Sequence, residues 1–134
     1  MASQDLAATR SGVYQFTLES VVRGHHVYKR IWTPVVGQEL QVAVEENNTH
    51  DPQAVAVRKG RTVVGHLPRD VARSVFFFIK RGGTCKCEIT GRRKKGNGLE
   101  VPCIYTFTGA HKMAVKLEGL LSSSSPGYPC SCPS

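Results

Sequence analysis

Two polar corners set between apolar stretches constrain this chain more than anything else in it. The first is Glu45-Glu46-Asn47-Asn48-Thr49-His50-Asp51-Pro52, flanked by Leu40-Gln41-Val42-Ala43-Val44 and by Ala54-Val55-Ala56-Val57. The second is Gly65-His66-Leu67-Pro68-Arg69, which follows Val63-Val64. Alternating and β-branched residues read as strands, so the chain must reverse at the first corner and leave the sheet at the second. Asn48 and Asp51 have the side chains to close the first corner onto its own backbone, and Pro52 holds Asp51 in extended geometry. The result is a rigid platform presenting Asn48, His50, Asp51, His66 and Arg69 to solvent. Such a platform either binds something or is an Asx-turn that only stiffens the fold, and the turn alone supports both readings equally.

The rest of the pattern extends the same plan. Residues 14–22 alternate apolar and polar side chains, as a half-buried strand does, and residues 24–37 form an irregular connection holding Trp32 and Pro34. Residues 39–44 are a second strand. Residues 54–58 and 61–67 make a tight hairpin around Lys59-Gly60. Pro68 and Asp70 then open a helix, with Val71, Val75, Phe78 and Ile79 on its core side and Gly82-Gly83 as its stop. Phe77 falls with Arg73 and Lys80, so it is either exposed or covers a loop. Residues 85–91 and 99–107 are two more strands, joined by the basic Arg92-Arg93-Lys94-Lys95-Gly96-Asn97-Gly98 loop. Met113, Leu117, Leu120 and Leu121 form the stripe of a closing helix.

This tally predicts a mainly β (α+β) fold of about six short antiparallel strands with two flanking helices. Strands of that length avoid open edges by curling into a small barrel. At 134 residues there is material for one core. We expect a flexible arm at 1–12, a domain at 13–121 and a disordered Ser/Pro/Cys tail at 122–134.

The formal net charge is +8. Arg10 and Asp5 cancel in the arm, and residues 122–134 carry no charged side chain, so the excess sits on the domain. Such a field attracts polyanions, although a merely soluble basic domain has the same composition. The first ten residues do not read as a secretory signal, and the longest apolar block, Val75-Phe76-Phe77-Phe78-Ile79, is too short to cross a bilayer. With five cysteines, an odd number, reduced thiols in a nuclear or cytoplasmic protein are expected rather than a secreted disulfide framework. Cys85-x-Cys87 and Cys130-x-Cys132 could in principle supply four thiolates to zinc. Strand periodicity instead puts Cys85 and Cys87 on one buried face, so no metal is expected. No nucleophile–base pairing or phosphate loop is visible, which argues against an enzyme and against a bound cofactor.

The pattern Glu45-x-x-Asn48-x-x-Asp51-Pro52-x-Ala54-Val55-x-Val57, followed by Val64-Gly65-His66-Leu67-Pro68-Arg69, resembles the HIRAN domain. So do Gly24-His25-His26-Val27-Tyr28 after the first strand and residues 102–109 near the end. The likeness runs from about residue 14 to residue 121, and the chain looks like a stand-alone member. It implies an OB-like β-barrel flanked by helices and a non-catalytic nucleic-acid-binding module that holds single-stranded DNA or DNA 3′ ends. A remodeller or nuclease acting in trans is a further implied partner. In the family's best-understood member an Asp lies near the 3′ hydroxyl, aromatic rings stack the terminal bases, and basic and amide side chains clamp phosphates. Carried onto this chain, those roles fall to Asp51, to Trp32 and His50, and to Arg30, Asn48, His66 and Arg69; for Trp32, the only tryptophan, a core-plug reading stands level with stacking. Lys29, Arg92, Arg93, Lys94 and Lys95 are candidate further phosphate contacts by their charge, although a run such as Arg92 to Lys95 is more often a solvated hairpin tip; it also resembles a short nuclear localisation signal. His50, Ile31 and Leu99 stand where that member has aromatic residues. This motivates the alternative of a protein-interaction adaptor on the same fold.

Overall fold

The computed structural model describes residues 12–24, 32–49, 51–96 and 98–123. Seven strands and two helices follow in the order β1 (Val13–Val22), β2 (Glu39–Val44), β3 (Val55–Lys59), β4 (Thr62–His66), α1 (Arg69–Lys80), β5 (Thr84–Ile89), β6 (Lys94–Gly96), β7 (Gly98–Ala110) and α2 (His111–Ser123). The six expected strands are all present. The seventh arises because the basic loop does not stay irregular: Lys94 to Gly96 pair back onto β7 as a hairpin. The expected arm and tail lie outside the described residues, except that Gly12 is placed and α2 runs through Ser122 and Ser123, the first two residues of the stretch read as tail.

Every pairing is antiparallel, in the spatial order β1-β7-β5-β2-β3-β4. β7 is the spine of the sheet, pairing with β1 from Val13↔Ala110 to Val22↔Val101 on one side and with β5 on the other. The sheet curls until its two edges touch. Arg23, just past β1, and His66, the end of β4, form an isolated antiparallel bridge. The expected barrel is therefore loose, held shut among the described residues by this contact alone.

The side-chain period of two decides what lies inside. Cys85, Cys87 and Ile89 of β5 face the core together with Val101, Cys103, Tyr105 and Phe107 of β7. Burial pushes the Cys85 thiol up, and the hydrogen bond with Cys103 together with burial does the same to Cys87. These sulfurs stay protonated and act as small apolar groups. Tyr105 is fully buried, yet its hydroxyl donates to the Val21 carbonyl at 2.7 Å, so no polar atom is stranded there.

α1 covers one side of the sheet through Val71, Ala72, Val75 and Phe78. It ends where Gly82 takes φ 102°. The Gly83 amide then returns to the Phe78 carbonyl at 2.9 Å and the Gly82 amide to Ile79 at 3.0 Å, the paired bonds of a Schellman stop. α2 packs back through Ala114, Leu117 and Leu121. Its start is tied to the start of β1, with the His111 amide on the Gly12 carbonyl and the Tyr14 hydroxyl on Glu118 at 2.8 Å. Leu120, expected in the buried stripe, is 43 % exposed.

Candidate nucleic-acid interface

The first corner folds as its chemistry dictates. The Asn48 side-chain oxygen accepts from the Asp51 amide at 2.9 Å, and the Asp51 carboxylate accepts from the Gln53 amide at 3.0 Å. Backbone bonds from Ala54 to Asp51 and from Glu45 to Ala54 close the base of the loop. Each local side-chain bond replaces a partner that an irregular loop would otherwise have to find in water.

The second corner is held by the barrel seam. Arg23 and His66 exchange N–H···O bonds at 2.8 and 2.9 Å. The strands come this close because residue 65 is glycine: a Cβ there would run into the Val22 side chain and stand 2.8 Å from the Arg23 carbonyl oxygen. Past His66 the Leu67 amide bonds to Val55, and Pro68 serves as the N-cap residue of α1 with φ −55° and ψ 144°. Arg69 is therefore the first helical residue and starts at the rim of the corner.

Glu45 joins the two corners. Its carboxylate accepts from the Asn48 side-chain amide at 3.1 Å and lies 2.7 Å from His66 Nε2. Burial pushes this carboxyl up, but the hydrogen bonds from His66 and Asn48 and the histidine's charge outweigh that and hold it below the ordinary value. A neighbouring ion pair, Lys80 to Glu46 at 2.7 Å, fastens the same loop to the last turn of α1.

Between the corners lies a cleft of about 240 Å³ lined by Arg23, Asn48, Asp51, His66 and Arg69, with Val55, Leu67 and Ala72 among its apolar walls. A second depression of about 220 Å³ shares Asp51 and Arg69 and continues to Gln53 and Arg73. Four of the residues singled out in the sequence thus meet in one place: Asn48, Asp51, His66 and Arg69. Arg23 joins them unforeseen, as does the tie made by Glu45. Arg23 also lies 3.2 Å from Glu100 of β7, the residue paired in register with Lys94. The base of the basic hairpin therefore sits beside the cleft, with Arg92, Arg93 and Lys94 exposed on it and Lys95 within β6.

Trp32 is elsewhere. Only 2 % of it is exposed, and its indole N–H donates to Gln38 Oε1 at 3.0 Å. The Gln38 carbonyl in turn accepts from the Ile89 amide, extending the pairing of β2 with β5. A ring fixed in the core offers no face to a base, so the expected stacking role of Trp32 is corrected to a packing role. Arg30, Lys29 and His50 lie outside the described residues.

Residues 15–105 match the HIRAN domain family. The chain belongs to the HIRAN family. Among solved structures, the crystal structure of the HIRAN domain of human HLTF superposes with a TM-score of 0.67 at 19 % identity, covering 87 % of this chain and 95 % of that one. The solution structure of the HLTF HIRAN domain in its DNA-bound conformation gives a TM-score of 0.59 at 22 % identity, covering 85 % of this chain and 93 % of that one. A crystal structure of a Lactobacillus plantarum protein gives 0.52 at 16 % identity, over 71 % of this chain and 98 % of that one. At these identities the likeness shows the HIRAN fold. No curated protein sequence matches the chain significantly.

Proposed function

We propose that this HIRAN domain is a non-catalytic module that binds single-stranded DNA at a free 3′ end, seated in the cleft between the two corners. One observation carries the reading: Asp51 and Arg69, from separate elements, line the same concave site. An arginine is suited to a phosphate, through charge and a fork of N–H donors. A carboxylate has acceptor sites for more than one donor, so the bond Asp51 accepts from Gln53 leaves room for a terminal hydroxyl. The match to a family of which one member, the HLTF HIRAN domain, has been solved in a DNA-bound conformation supports the DNA part of the reading. With Trp32 in the core, stacking of the terminal bases falls to residues such as His50 and Tyr28.

Cations beside the cleft supply the sequence-independent attraction. Arg23, Arg69 and Arg73 line the depressions, and the positive end of the α1 dipole opens onto them. Arg92, Arg93 and Lys94 extend the field along the departing strand.

The test is a fluorescence titration at low salt with three oligonucleotides: one with a free 3′ hydroxyl, one with a 3′ phosphate, and a blunt duplex. The hydroxyl end should bind tightest, because a phosphate puts negative charge against Asp51 and removes the donor. Equal affinity for both single-stranded ends contradicts end recognition, and no binding by any of the three contradicts the DNA reading.

A further inference from the structure

A groove of about 540 Å³, larger than the cleft between the corners, lies between α1 and α2. Its floor is apolar, made chiefly by Phe77, Met113, Leu117 and Leu120. Phe77 is 39 % exposed although it lies mid-helix among residues that pack. The rim carries Arg73 and Arg81 from α1 and Lys112 and Lys116 from α2. No carboxylate lines it among the described residues.

We propose that this groove docks an acidic amphipathic segment of a partner protein, its apolar side on Phe77 and Leu120 and its carboxylates toward the four rim cations. Charge complementarity selects the occupant. An apolar groove bordered only by cations favours acidic ligands and disfavours basic ones. The walls are helices of 12 and 13 residues, about 18 Å long at 1.5 Å per residue, enough to receive anchors at i, i+3 or i+4, and i+7. Residues 124–134 of this chain do not meet the requirement, since they contain no Asp or Glu. A nucleic-acid strand suits the floor poorly. Of its two phenylalanines Phe78 is buried, and the Arg81 guanidinium already lies 5.5 Å over the Phe77 ring. The proposal does not rest on DNA binding: the groove shares no lining residue with the cleft between the corners and meets the adjoining depression only at Arg73, which the test leaves unchanged.

The experiment titrates the full chain with a fluorescein-labelled, helix-forming peptide rich in Glu with Leu at i, i+3 and i+7. A scrambled peptide of the same composition and a version with Lys in place of Glu serve as comparisons. The acidic amphipathic peptide should bind, and Phe77→Ala and Lys116→Glu should each weaken it about tenfold. Both sites are exposed, so thermal melts should show folded variants, and oligonucleotide affinity should stay at the wild-type value. Leu120→Ser provides a second apolar variant with the same expectation. Absence of binding by the acidic peptide overturns the proposal, as does equal binding of the scrambled or basic peptide. Loss of oligonucleotide rather than peptide affinity in Phe77→Ala would also overturn it, by assigning the groove to a polynucleotide.

Discussion

Arg23 and His66 exchange both of their backbone hydrogen bonds, and at this one pair the first and last strands of the curled sheet meet. The bridge fixes the elbow from which α1 departs and brings Arg23 alongside Asn48 and Asp51. Barrel closure and cleft formation are therefore the same structural event.

Gly65 permits that event, so Gly65→Ala should damage both. The added methyl has to displace the Val22 side chain or the Arg23 backbone, and the backbone has nowhere to go without opening the bridge. We expect a loss of about 1–3 kcal/mol, the usual range for forcing a carbon into a packed site. A urea melt measures it. An unchanged midpoint would mean that the seam is slack.

Glu45 makes the site sensitive to acid. Its carboxyl is depressed in the folded protein, so the stability it contributes is present above the ordinary value of 4.5 and is lost as pH falls through the folded value. Glu45→Gln should therefore cost about 1 kcal/mol near neutrality. The difference from wild type should shrink as the pH is taken well below 4.5, through the lowered folded value, and the native side chain becomes protonated. Paired urea melts at neutral and at acid pH check this, and a gap independent of pH would contradict it.

Trp32 is the only tryptophan, so its fluorescence reports one position. Enclosed as it is, it should emit at short wavelength, resist quenching by iodide and hardly respond to an added oligonucleotide. Strong quenching by DNA would show that the ring leaves the core to stack. Trp32→Ala should destabilise the fold by about 3–5 kcal/mol, as expected for a buried aromatic.

If Arg69 holds a phosphate, Arg69→Ala should flatten the logarithmic salt dependence of single-strand binding by about 0.7. Arg93→Ala, on the hairpin beside the cleft, should do the same only if the strand runs along that arm. A variant with lower affinity but an unchanged slope would assign Arg69 a positioning part instead.

What could be read from the sequence divides by the range of the interactions involved. The Asn48–Asp51 corner was legible because its bonds span two or three residues and follow from side-chain chemistry. So were the α1 stop at Gly82-Gly83 and the buried cysteine face of β5, which periodicity alone determines. Arg23 and the Glu45–His66 tie were not, because they depend on which strand edges meet when the sheet curls. Trp32 is open between core and stacking in the sequence for a related reason: an aromatic residue in an irregular loop has no periodicity to say which way it points. Here Gln38 and the β2–β5 ladder turn it inward. The extra strand β6 escaped notice because a run of basic residues gives no alternation, although the register with β7 supplies its partners.

The decisive measurement is an amide chemical-shift titration of the full chain with a short oligonucleotide carrying a free 3′ hydroxyl. The largest shifts are expected at Arg23, Asn48, Asp51, His66 and Arg69, with Phe77, Lys116 and Leu120 still. Shifts centred on the α1–α2 groove, or spread evenly over the basic surface, would contradict a DNA-end site between the two corners.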